Sequence, residues 1–112
     1  MLNRGAVMLR GKQPFVDWIN SSAPKAAPEI SEEMLNQERT VYLISEEDAE
    51  NIERFIGWKY KELFRHELSE WNTDESTWPK RLAKAMFHDW FEVECHPVIL
   101  DTVGTELYDD EV

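Results

Sequence analysis

Cysteine, glycine and long apolar runs are all scarce in this chain, and each scarcity removes a class of protein. The single cysteine, Cys95, excludes an intramolecular disulfide and a cysteine-only metal site. The four glycines, Gly5, Gly11, Gly57 and Gly104, stand far apart and form none of the glycine-rich loops that cradle nucleotide phosphates. No stretch approaches the roughly 18 consecutive apolar residues of a membrane span. The start Met1-Leu2-Asn3-Arg4 lacks the apolar core of an export signal, so a cytoplasmic protein without a membrane partner is expected. Positive charge is also short, with 12 Lys and Arg against 23 Asp and Glu and a formal charge of −11.

The chain does have apolar bulk. Its 112 residues are 42% hydrophobic and 12% aromatic, which is enough side chain to bury and excludes a disordered acidic segment. That length accommodates one domain. The charge is uneven: residues 1–25 hold four cations and one acid, and the rest hold eight cations and 22 acids. Such a surface repels nucleic-acid phosphates, and no run of sequence interleaves basic and aromatic residues, so direct nucleic-acid binding is not expected. The acidity keeps a small protein soluble, and it also suits a basic protein partner or a decoy that imitates nucleic acid.

Along the chain, Gly5 to Arg10 is an apolar run without helical spacing and predicts a strand. Pro14 fits the first turn of a helix that sets Phe15, Trp18 and Ile19 on one face. Residues 20–38 predict a mobile loop interrupted by one turn capped at Ser31. Thr40 to Ile44 is β-branched and aromatic, and predicts the clearest strand. Ser45 then caps a long helix reaching about Trp71, whose Ile52, Ile56, Tyr60, Leu63, Phe64, Leu68 and Trp71 share an arc of roughly 160°. A last helix is predicted from Thr77 to about 92, with Leu82, Ala83, Met86, Phe87, Trp90 and Phe91 inward. A strand over 93–103 follows, with Pro97 marking an edge. One α+β domain is therefore expected over 1–105: a three-stranded sheet with two main amphipathic helices packed on one face, in the order β-α-β-α-α-β. Residues 106–112 form an acidic tail.

Asn3-Arg4, the run Lys12-Gln13-Pro14-Phe15-Val16-Asp17-Trp18, Thr40-Val41-Tyr42-Leu43, Trp78-Pro79 and Trp90-Phe91 together resemble a family of small bacterial proteins. The similarity spans most of the chain, and its matching residues are largely structural types. It implies a bacterial cytoplasmic protein with no assigned activity and transfers no catalytic residue.

Three groups of residues carry possible chemistry. Cys95 and His96 are neighbours on a predicted strand and so point to opposite faces, which leaves Cys95 as an inert buried thiol. His88 with Glu92, and Glu94 with His96, could supply four N/O metal ligands, but His88 lies on the solvent side beside cationic Lys84. His66-Glu67-x-x-Glu70 has only the first half of a zinc-protease motif, and no metal or other cofactor is expected.

Glu67 falls inside the apolar arc of the long helix, so its carboxylate needs a partner, with Arg10, Arg81 or the Tyr60 hydroxyl in reach. An internal pair is the plain reading, and a general base in a cleft is the functional one. Phe55 and Trp58 lie opposite the arc, where they are either covered or form a contact surface. The expected function is a non-enzymatic interaction or regulatory module, with a protein partner or a second copy engaged around Phe55 and Trp58. The alternatives are a small hydrolytic or metal-dependent enzyme using Glu67, His66 or the His88–Glu92 group, or an acidic nucleic-acid mimic.

Overall fold

The structure is a computed structural model and describes residues 3–103. The tail expected at 106–112 lies outside the described residues. Three strands form one antiparallel sheet: β1 (Arg4–Gly11) in the centre, β2 (Val41–Ser45) on one side and β3 (Phe91–His96) on the other. Val7 stands opposite Tyr42 and Cys95, and Leu9 stands opposite Val93. Because side chains alternate along a strand, Gly5, Val7, Leu9, Tyr42, Ile44, Phe91, Val93 and Cys95 share one face. Ala6, Met8, Arg10, Val41, Leu43, Glu92, Glu94 and His96 share the other.

The helices pack on the first face. These are α1 (Gln13–Ser22), α2 (Glu32–Leu35), α3 (Glu46–Glu50), α4 (Ile52–Trp71) and α5 (Lys84–Trp90). The core joins Val7 and Leu9 of the sheet to Phe15, Val16 and Ile19 of α1, Ile56, Leu63, Phe64 and Leu68 of α4, and Phe87 of α5. At its centre Phe64 meets Trp90 and Phe91 edge-on, with centroids 5.2 and 5.5 Å apart, the geometry favoured by the ring quadrupole. Gly5 lets the helical layer approach β1, since a Cβ there would stand 2.6 Å from the Cβ of Ala49. The α+β class, the three-stranded sheet and the one-sided helical layer agree with the sequence reading, and the antiparallel pairing of all three strands adds to it.

Several boundaries differ from it. The long helix is two, because Asn51 leaves helical geometry (φ −134°, ψ 64°) and turns α4 away from α3. Asparagine favours such breaks through the competition of its side chain with the helical backbone. The helix predicted from Thr77 begins only at Lys84, because a residue before proline avoids helical backbone and Trp78 is extended ahead of Pro79. Residues 75–77 form one 3-10 turn instead. Phe91 already belongs to β3, and β3 ends at His96, since Pro97 has no N–H for a ladder. Val98 and Leu100 are therefore exposed rather than paired.

The segment 20–38 is held more firmly than its composition implies. Residues 20–22 complete α1, and Ser31 Oγ caps α2 by accepting from Met34 N–H. Two asparagines behave like strand partners: Asn20 exchanges two hydrogen bonds with the backbone of Ile30, and Asn36 exchanges two with Gly11, all at 2.9–3.0 Å.

Candidate functional site

Glu67 occupies the junction between α4 and β2. The bulk of α4 turns toward the core through Leu63, Phe64 and Leu68, which leaves Glu67 half-buried at the edge of the apolar arc. Its partner is none of Arg10, Arg81 and Tyr60. Tyr42, whose side chain the strand alternation turns to the helical face, donates its hydroxyl proton to Glu67 Oε2. The phenol has one proton to give, so Nδ1 of His66, 2.8 Å away, carries its own and donates to the phenol oxygen. Glu70 completes the group, accepting from the Thr40 hydroxyl at 2.6 Å and lying 3.5 Å from His66 Nδ1.

Burial raises the Glu67 pKa above its ordinary value, Glu70 adds to the rise, and the Tyr42 and His66 contacts oppose it. Tyr42 is also shifted upward, chiefly by burial and then by its bond to Glu67. A proton is therefore held tightly across this junction. Ligand atoms of His66, Glu67 and Glu70 lie within 4.8 Å of one another, so these three residues could hold a metal ion. One oxygen of Glu67 already accepts from the Tyr42 hydroxyl and one of Glu70 from the Thr40 hydroxyl, and the adjoining recess holds about 30 Å³, room for a single water. Ligand pockets run to roughly 300–1,000 Å³. The arrangement fits a latch between helix and strand better than a reaction chamber.

The other candidates separate. Phe55 is only 9% exposed and belongs to the core, so it offers no contact surface. Trp58 is 65% exposed, with the Arg54 guanidinium 4.5 Å from its ring. His88, Glu92, Glu94 and His96 do not converge: His88 lies in the last turn of α5, Glu94 pairs with Arg39 at 3.0 Å, and His66, Glu67 and Glu70 are the only such group of three or more among the described residues. Cys95 is half-buried rather than enclosed. Its Sγ points to the Ala49 carbonyl, and it lines an apolar groove of about 310 Å³ with Ile52, Ile56 and Val93.

Two surfaces escaped the sequence reading. The first is the sheet face that none of the described helices covers, where Val41 and Leu43 are 52% and 49% exposed beside Met8. The strand signal at 40–44 was plain, but which of its alternate residues would remain uncovered depends on the register with β1. The second is a cleft of about 720 Å³ between α4 and residues 75–84. Its cations are scattered over 24 positions of sequence, from Lys61 to Lys84, and only the fold gathers them.

No protein family, curated protein or solved structure matches this chain. No helix among the described residues is long and apolar enough to cross a membrane.

Proposed function

We propose that the protein is a non-enzymatic interaction module that engages a basic protein partner through the uncovered face of its sheet. One observation carries this reading: every helix among the described residues packs on the opposite face, which leaves Met8, Val41 and Leu43 as an apolar strip on a regular surface. Apolar side chains set in a charged rim are the usual make-up of a contact surface. The rim here is Arg10, Glu92 and the Arg39–Glu94 pair. A second copy would bring −11 against −11, whereas a basic partner gains from the same charge. Catalysis has less support, since the one carboxylate whose pKa is raised, Glu67, faces a recess of about 30 Å³.

The test compares the full chain with the double variant Val41→Asp/Leu43→Asp and with Trp58→Ala. Sedimentation of the pure protein should show a monomer at all salt concentrations. Affinity capture followed by quantification should retain a basic partner with wild type and Trp58→Ala, and lose it with the double variant. A dimer abolished by the double variant would replace the partner with a second copy. Capture lost on Trp58→Ala alone would move the surface to α4. Capture indifferent to both variants and abolished by moderate salt would favour acidic mimicry of nucleic acid.

A further inference from the structure

The cleft between α4 and residues 75–84 reverses the electrostatics of the molecule. Lys61, Arg65, Lys80, Arg81 and Lys84 line it against one carboxylate, Glu75. Five of the chain's 12 cations therefore meet in one place on a protein of net charge −11. None of the five makes a salt bridge or donates a side-chain hydrogen bond among the described residues, although acids outnumber bases almost two to one. Cations that merely balance a surface would be expected beside those acids.

The arrangement follows from helix geometry. Residues 54, 58, 61 and 65 of α4 fall within an arc of ~60° at 100° per residue. Arg54, Trp58, Lys61 and Arg65 thus form one stripe, whose lower end enters the cleft. The far wall is fixed in place, since Trp78 Nε1 donates to Asn72 O at 2.8 Å and Trp18 Nε1 donates to Thr77 O at 2.9 Å. Two partly exposed rings, Tyr60 and Trp78, line the same space.

We propose that this cleft binds a compact organic polyphosphate of the nucleoside di- or triphosphate class. Each part of that class answers an observation. Five cations that form no salt bridge among the described residues, gathered in a small volume, call for several negative charges close together, and guanidinium and ammonium groups supply the donors that backbone amides supply in a glycine-rich loop. A volume of about 720 Å³ lies within the range of small-ligand sites. Tyr60 and Trp78 give a planar base a surface to stack on. The surrounding acids restrict size: at physiological salt, charges beyond ~8 Å are largely screened, so a ligand contained in the cleft feels its cations, while a long nucleic acid leaving it meets the acidic surface.

Calorimetric titration of the full chain with ATP, tripolyphosphate, adenosine and a 20-residue oligothymidylate tests this. ATP should bind with one site and weaken at least tenfold in Arg65→Ala/Arg81→Ala, whose exposed positions should leave the melting temperature unchanged. Adenosine should bind far more weakly than ATP, and tripolyphosphate several-fold more weakly. No binding of ATP at millimolar concentration, or equal binding by the double variant, overturns the site. Tripolyphosphate matching ATP overturns the nucleoside part of the assignment. Oligothymidylate binding more tightly than ATP overturns the compact-ligand part in favour of single-stranded nucleic acid. Val41→Asp/Leu43→Asp should leave ATP binding intact, which separates this result from the fate of the sheet-face proposal.

Discussion

The two sides of α4 treat charge in opposite ways. Toward β2, Glu67, His66 and Glu70 are matched with Tyr42 and Thr40, and the polar atoms satisfy one another. Toward residues 75–84, Lys61 and Arg65 face Lys80, Arg81 and Lys84, and none of these five makes a salt bridge or side-chain hydrogen bond among the described residues. A matched group contributes to stability and leaves little free for a ligand. An unmatched group of like charges contributes nothing to stability and is open to a counter-ion.

Substitutions on the two sides of α4 should differ in cost. Phe64→Ala should have the largest effect, a loss of about 3–5 kcal/mol in denaturant titration, because this fully buried ring anchors α4 for both regions. Tyr42→Phe should cost about 1–3 kcal/mol, since it leaves a half-buried carboxylate without its donor. The contrast would fail if Arg65→Ala cost as much. Arg65→Ala and Lys61→Ala should each shift stability by no more than about 0.5 kcal/mol, as exposed side chains without partners do.

A pH series sharpens the matched side. Glu67 has a folded pKa raised above the ordinary 4.5, so the folded chain holds this proton more tightly than the unfolded chain. Its stabilising contribution is complete below about pH 4.5 and is lost as pH rises through the raised value. Glu67→Gln cannot titrate. Wild-type stability minus that of Glu67→Gln should therefore fall as pH rises from 4.5, then level off. A flat difference would mean that Tyr42 and His66 fully offset the burial.

Local signals were legible where neighbours in sequence decide the outcome. Ser31 and Ser45 do cap helices, accepting from Met34 and Asp48, and Pro14 does sit at the start of α1. Glu67 stood out because periodicity alone placed a carboxylate among apolar residues. Its partner was not legible, because Tyr42 is 25 residues away and reaches it only through the pairing of β2 with β1. Phe55 was placed outside the apolar arc, yet α3 and α5 both lean on α4, so its buried surface extends beyond a single seam. The cations of the cleft look ordinary one at a time. Their meeting depends on Trp78-Pro79 cancelling the helix that would have spread Lys80, Arg81 and Lys84 around an axis.

The wall of that cleft is tied down by two indole N–H groups, one from α1 and one from its own chain segment. Loosening it would wet both rings at once. The protein thus carries a built-in optical gauge: a red shift of tryptophan emission ahead of the loss of helical circular dichroism would mark the wall detaching from a body that is still folded.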